Sequence, residues 1–235
     1  MNQPKRNYQK ELDKLIADGQ IMGKKLLLHS CCAPCSSYCM EYLREYFDLT
    51  VFYYNPNITE EAEYQKRVEE EKRLIRLFNE AYSKREKDSR RESRMPGTDW
   101  HRIKIIEGDY EAGCFYDAVK GLEQCKEGGE RCFRCYELRL RESARVAKEL
   151  SFDYFTTTLT ISPLKNADKL NEIGERLGQE YGVSYLPSDF KKKNGYQRSI
   201  ALSKEYGLYR QDYCGCIYSK VEREKQKAAA ECREA

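Results

Sequence analysis

The stretch Lys24-Lys25-Leu26-Leu27-Leu28-His29-Ser30-Cys31-Cys32-Ala33-Pro34-Cys35, continuing through Ser36, Ser37 and Tyr38, decides the fold. Its apolar run is too short for an ordinary helix and reads as a strand buried on both faces. The strand stops in a cysteine-rich turn. Beyond the turn Met40, Leu43 and Phe47 recur at helical spacing. Pro34 suits a helix start, where its fixed φ is already helical and its missing N–H would have no partner anyway. The unit is strand, loop, helix.

The same alternation continues outward. Residues 48–59 (DLTVFYYNPNIT) carry a β-branched and aromatic run halted at Asn55-Pro56, and residues 60–78 (EEAEYQKRVEEEKRLIRLF) pattern as an amphipathic helix. Further strands are expected at 102–108 (RIKIIEG) and 152–160 (FDYFTTTLT), with helices near 116–122, across 136–150 and over 166–182. Strands alternating with helices predict an α/β fold, a parallel sheet flanked by helices on both faces. Cysteine-rich loops would then lie at the sheet edge, beyond the carboxyl ends of the strands. Residues 1–235 are expected to form a single catalytic α/β domain. A charged surface insertion is expected near 83–102, where seven Lys/Arg and four Asp/Glu surround Pro96-Gly97 without periodicity.

Composition narrows the function classes. The 42 Lys+Arg against 39 Asp+Glu leave a net charge of +3, which argues against an indiscriminate polyanion binder. Mean hydropathy is −0.86 and no apolar run approaches the roughly 18 residues of a membrane span. The polar opening MNQPKRNYQKELDKL lacks the apolar segment of a secretory signal, so a cytoplasmic protein without membrane association is expected. No GxxxxGK[ST] loop is present, which removes support for phosphate-loop NTPase chemistry.

Cysteine is the anomaly. Of 11 cysteines, seven fall in three short groups: Cys31, Cys32 and Cys35; Cys132 and Cys135; Cys214 and Cys216. In a reducing compartment such groups indicate metal or redox chemistry more often than structural bridges. The first group follows a strand and opens a helix, where unpaired backbone N–H groups favour thiolates. The second follows Gly128-Gly129 at the start of another helix. One CxxC serves redox sites, zinc sites and iron–sulfur clusters alike. Two groups brought together at one sheet edge could close four sulfurs around a zinc ion or a cubane cluster, and ligand count does not separate the two. Cys214-Gly215-Cys216 is too short to chelate one metal easily, and reads either as an electron-handling dithiol or as a pair of free or metal-bound thiols.

Other segments point toward a ligand. Thr156 to Thr160, Ser162, Lys165 and Asn166 crowd polar groups at a strand end, and Lys191, Lys192, Lys193, Tyr196, Arg198 and Lys204 combine cations with an aromatic ring. The first cluster reads equally as an ordinary threonine-rich strand, and the second as a solvated basic face.

Together LLLHSCCAPC, GGERCFRCYELRL, FDYFTTTLTISPLKN and SDFKKKNGYQRSIALSKEYGLYRQDYCGC resemble the epoxyqueuosine reductase family QueH, in order and spacing, over nearly the whole chain. The resemblance implies a Rossmann-like fold of the HUP/PP-loop kind, although the SGGxDS loop that holds ATP in PP-loop enzymes is replaced here by HSCCAPC. It implies two-electron reduction of the epoxide of epoxyqueuosine at the tRNA wobble position, the last step of queuosine synthesis, without cobalamin. The partners implied are tRNA carrying epoxyqueuosine and an electron donor that the sequence does not identify. Carried over by position, Cys31, Cys32, Cys132 and Cys135 match the ligands of a [4Fe–4S] cluster, and Cys214 with Cys216 match a redox-active pair. Cys35 is left to replace one of the four, to bind an additional iron ion, or to remain a reactive thiol. Asp109, Asp189 and Tyr213 are candidate acids by proximity to the motifs. An RNA-binding protein whose Cys₄ site holds structural zinc and whose CGC pair is inert is the competing expectation.

Overall fold

In the computed structural model, which describes residues 6–88 and 101–234, the apolar run at 24–30 is the central strand of a five-stranded sheet. The strands are β1 (Lys24–Ser30), β2 (Phe47–Tyr53), β3 (Lys104–Glu107), β4 (Tyr154–Thr157) and β5 (Ser184–Tyr185). They are ordered β3-β2-β1-β4-β5 and every pair is parallel. The expected parallel sheet is therefore present. Much of the charged segment at 83–102 lies outside the described residues.

Eight helices are described: α1 (Tyr8–Ala17), α2 (Ala33–Leu43), α3 (Glu61–Asp88), α4 (Ala112–Ala118), α5 (Glu130–Glu149), α6 (Ala167–Tyr181), α7 (Gly195–Glu205) and α8 (Ile217–Glu234). Alternate side chains of β1 supply the two faces of the sheet. Leu26 and Leu28 pack in a core with Met40, Leu43, Leu74, Phe78 and Leu202 from α2, α3 and α7. Leu27 joins the opposite core with Phe155, Tyr136, Leu140, Leu170 and Leu177, under α5 and α6. Gly195 lets α7 approach α2: a Cβ there would lie 2.0 Å from the Phe190 carbonyl oxygen and 2.4 Å from the Tyr38 ring.

Several boundaries differ from the sequence reading. The strand expected over 152–160 ends at Thr157 and passes into a 3-10 turn over Thr158–Ile161, because the Thr157 hydroxyl accepts from the Leu159 N–H and turns the backbone. Phe47 opens β2 instead of continuing α2, which stops at Leu43. The short helix expected near 116–122 spans Ala112–Ala118. The two-residue strand β5 carried too little pattern to be anticipated, whereas helix α1, unanticipated as well, carries Tyr8, Leu12, Leu15 and Ile16 at helical spacing.

The topology places the cysteines. The chain runs outward from β1 through β2 to β3, then returns by way of α4 and α5 to β4 on the other side of β1 and on to β5. The crevice at the carboxyl ends of β1 and β4 is the switch point where α/β sheets receive ligands. Cys31 and Cys32 leave β1 at that crevice. Helix α5 leads through its carboxyl end into β4, so its first two turns, with Cys132 and Cys135, lie at the same edge.

Candidate metal centre and thiol pocket

Cys32 is the N-cap of α2, with Pro34 in the first turn, so the thiols of Cys31, Cys32 and Cys35 gather where the helix leaves its backbone N–H groups unpaired. The three sulfur atoms lie within 4.8 Å of one another, and those of Cys31 and Cys32 are 3.8 Å apart. Thiolates sit about 2.3 Å from a bound zinc ion, so two of them on one ion span at most about 4.6 Å. The triad has nearly that spacing. Donation from Cys32 and Cys35, with Arg139 nearby, holds Cys31 well below the usual thiol range. Proximity to Cys31 pushes Cys32 up to about 12. One thiolate thus shares the protons of its two neighbours.

The loop is secured from behind. The Cys31 N–H donates to Thr158 Oγ1 (3.3 Å), whose hydroxyl lies 3.4 Å from Cys31 Sγ. Asn55 Nδ2 donates to the Ser30 carbonyl (2.9 Å). The threonines expected to meet a ligand are buried: Thr156 donates to Leu186 O, Thr160 pairs with Ser188, and Thr157 contacts His29. They build the scaffold. Ser162 and Lys165 alone of that cluster reach the cavity, while Asn166 caps α6.

The second group uses helical periodicity. Cys132, Cys135 and Arg139 recur at three and four residues along α5 and share a face. Burial raises both thiols, Cys135 to about 11. Arg139 is itself held: its Nε donates to His29 Nε2 (3.2 Å) and its Nη2 donates to Asn55 Oδ1. Burial lowers His29 to about 3, so the ring is neutral. Its Nδ1 faces Thr157 Oγ1 at 2.9 Å, and its Nε2 lies between Arg139 Nε and the Tyr54 carbonyl, 3.1 Å from the latter.

Cys214 and Cys216 lie just before α8 as free thiols with sulfurs 3.4 Å apart. Gly215 between them has φ +114°, and a Cβ there would lie 2.7 Å from Ile58 Cγ1. The Cys214 N–H donates to Ser219 Oγ (3.2 Å), whose hydroxyl donates to Glu127 Oε2 (3.0 Å), and Lys165 Nζ donates to Glu127 Oε1 (3.0 Å). This chain ties the third motif to the loop before the second. Donation from Cys216, then the charge of Lys165, pulls Cys214 down to about 5, while the same contact raises Cys216.

The motifs face two adjoining cavities. Cys31, Cys32 and Cys35 line one and Cys132, Cys135 and Cys216 line the other, while Cys214, Arg139 and Lys165 border both. Cys31 and Cys32 are therefore grouped with Cys35, and Cys132 and Cys135 with the third motif. Among the described residues, Cys31, Cys32 and Cys35 are the only group of three or more ligand-type residues spaced for a metal. Soft thiolates beside fixed cations are a donor set for zinc, copper(I) or iron–sulfur centres, so the residues fit a thiolate-bound metal or cluster.

Of the candidate acids, Tyr213 lines the first cavity, Asp189 pairs with Lys191 at 2.5 Å outside it, and Asp109 is exposed. The basic stretch is largely spent on ion pairs: Lys193 with Asp13 and Arg198 with Glu41, leaving Tyr196 on the cavity wall. Cys39 is buried in the α2 core and Cys232 is exposed on α8. Arg67 and Arg139 were not anticipated. The spacing of Arg139 from Cys132 and Cys135 was a readable signal, whereas Arg67 is one of many charges in α3. No helix among the described residues is long and apolar enough to cross a membrane.

The low pKa of Cys214 has a direct test. Thiolate is the alkylated species, so reaction of Cys214 with iodoacetamide, followed by peptide mass spectrometry, is expected to hold its rate to near pH 6. The rate should halve near pH 5, whereas an ordinary thiol already fades below about 8.5. Cys216→Ala removes the main donor and moves the profile upward. An ordinary profile in the unsubstituted protein would contradict the arrangement.

The chain matches the family model described as Epoxyqueuosine reductase QueH over residues 26–222. It is 40% identical over 225 residues to the epoxyqueuosine reductase QueH of Staphylococcus epidermidis, covering 94% of this chain and 87% of the relative. The protein of the same name from Streptococcus pyogenes is 38% identical over 91% of this chain and 78% of its own. The Thermotoga maritima protein is 34% identical, over 86% and 94%. Among solved structures, the U34-tRNA thiolase NcsA from Methanococcus maripaludis with its [4Fe–4S] cluster aligns with a TM-score of 0.48 and 14% identity, over 90% of this chain and 67% of that one.

Proposed function

The chain belongs to the epoxyqueuosine reductase QueH family, an oxidoreductase family acting on tRNA, and on that premise we propose its reaction and the residues that carry it. Residues 1–235 act as one catalytic α/β domain. The enzyme reduces the epoxide of epoxyqueuosine at the tRNA wobble position to give queuosine and water, without cobalamin, consuming two electrons and two protons. Cys31, Cys32, Cys132 and Cys135 hold a [4Fe–4S] cluster, and Cys35 is available to an additional iron ion. When bound, such a cluster supplies one-electron transfer and a Lewis-acidic iron for the epoxide oxygen.

The observation that carries this reading is the convergence of three separated thiol motifs on two cavities that share Cys214, Arg139 and Lys165. The cations attract anionic thiolates, and His29 and Asn55 hold Arg139 in place. Oxidation of the Cys214–Cys216 dithiol to a disulfide releases two electrons and two protons, the number the epoxide consumes. The pair therefore suits a relay that an external donor resets after each turnover. Tyr196 and Tyr213 line the first cavity, and aromatic rings of this kind can stack with a nucleobase.

Purification without oxygen, with iron, sulfide and zinc analysis beside a visible spectrum, is the test. Cubane iron and sulfide near stoichiometry, with reduction of epoxyqueuosine in tRNA, is the expected result. Stoichiometric zinc without sulfide, after growth with ample iron, would overturn it. The tight spacing of the Cys31 triad makes zinc the alternative to measure.

A further inference from the structure

Arg67 and Gln211 line the first cavity, and each holds a buried polar atom without a protein hydrogen-bond partner, Nη2 and Oε1. Arg67 is 2% exposed, and the protein fixes its guanidinium from several sides. Its Nε donates to Glu63 Oε1 (2.7 Å), its Nη1 donates to the Cys214 carbonyl (3.2 Å), and the group lies 5.3 Å from the Tyr213 ring centre. A guanidinium has five N–H donors, and burial without a partner is costly for any of them. The group is thus oriented by its other bonds, with one nitrogen left to donate. The cation is held in advance beside the Cys31 and Cys214 motifs.

Such a nitrogen fits an acceptor oxygen, and best one on which negative charge gathers during reaction. The orphan amide oxygen of Gln211, a residue lining the same cavity, fits a donor such as a hydroxyl. We propose, on the basis of the reductase reading above, that Arg67 Nη2–H binds the epoxide oxygen of the substrate while Gln211 Oε1 accepts from a hydroxyl of the same ring. In the overall reduction both C–O bonds of the epoxide break and a C=C bond forms. The external donor supplies two electrons, and the oxygen leaves with two protons as water. Arg67 touches the atom that leaves and stays protonated throughout.

The test compares binding of two anticodon stem-loops to the enzyme purified without oxygen and without reductant, one bearing epoxyqueuosine and the other queuosine, which lacks the epoxide oxygen. The unsubstituted enzyme is expected to prefer the epoxide form by about tenfold, the value of one charge-assisted hydrogen bond. Arg67→Lys keeps the charge but displaces the donors, and is expected to bring the ratio near one with queuosine binding unchanged. Gln211→Leu is expected to weaken both forms equally and keep the ratio. A role for Arg67 confined to bracing the Cys214 segment would weaken both forms alike. A ratio near one in an unsubstituted enzyme that still reduces epoxyqueuosine, or a full ratio in Arg67→Lys, would overturn the inference; unsubstituted binding of Gln211→Leu would remove Gln211 from it. Failure of the unsubstituted enzyme to reduce epoxyqueuosine at all would instead overturn the reductase reading.

Discussion

Cys32→Ala is expected to yield a folded protein that retains little iron and whose epoxyqueuosine reduction falls by well over about 100-fold. That loss exceeds the roughly 10–100-fold cost of losing a residue that merely supports a metal ligand. The fold should survive for a local reason. Cys32 occupies the N-cap of α2 but its side chain makes no capping hydrogen bond, so alanine forfeits no cap. The buried sulfur leaves only a small void, costing on the order of 1 kcal/mol. Its sulfur is 3.8 Å from that of Cys31 and within the tight triad with Cys35, so its removal strips the site of a donor that neighbouring backbone cannot replace. Iron content, the visible spectrum and a thermal melt, measured together, separate ligand loss from unfolding. Full activity in an iron-free variant would remove the cluster from the reaction.

Cys216→Ala is expected to do the opposite to iron: content stays at the unsubstituted level while kcat falls by at least about tenfold with KM little changed, the pattern of an interaction needed after substrate is bound. Cys216 is 6% exposed and its sulfur accepts from the Ser219 N–H at 3.4 Å, so the variant also loosens the start of α8 slightly. The larger consequence is electronic. With one thiol gone, Cys214 cannot close a disulfide and the pair cannot deliver two electrons. Turnover unchanged with every reductant tried would take the dithiol out of the mechanism. A loss of iron together with activity would instead place Cys216 among the metal ligands, an outcome given weight by its sharing a cavity with Cys132 and Cys135.

The proposed ligand set spans two groups of thiols. Position-by-position resemblance joined Cys31 and Cys32 to Cys132 and Cys135, whereas the side chains join the first pair to Cys35 and the second to the third motif. A cluster bound by the four would bridge the two cavities across the Arg139 and Lys165 that border both. These cations attract sulfur-borne negative charge on either side. Iron analysis of Cys35→Ala beside Cys135→Ala distinguishes a four-cysteine bridge from a triad site.

Much of this was legible in the residues. Three leucines before a cysteine turn, β-branched runs before Asn-Pro, and apolar residues at helical spacing specify strand and helix locally, because their periods are set by backbone geometry. Those local patterns also place Cys31 to Cys35 and Cys132 to Cys135 at helix starts. The two-residue β5 was missed because so short an element carries little periodic signal and depends on the core it joins, whereas α1 held a readable stripe in Tyr8, Leu12, Leu15 and Ile16. The threonines between 156 and 160 allowed two readings for a related reason. A hydroxyl that will be spent on His29 or Ser188 has the same sequence signature as one facing a ligand.

By itself, then, the sequence determined the class of fold, the three thiol motifs and, through resemblance, the family. Tertiary structure alone decided which motifs share a cavity, that Lys165 and Glu127 tie Cys214 to the second motif, and that Arg67 presents an unpaired N–H beside them. The physical reason is range. Helical and strand periods act over a few residues, while Arg67 and Cys214 are 147 residues apart and meet only after parallel pairing and helix packing have set their elements in place.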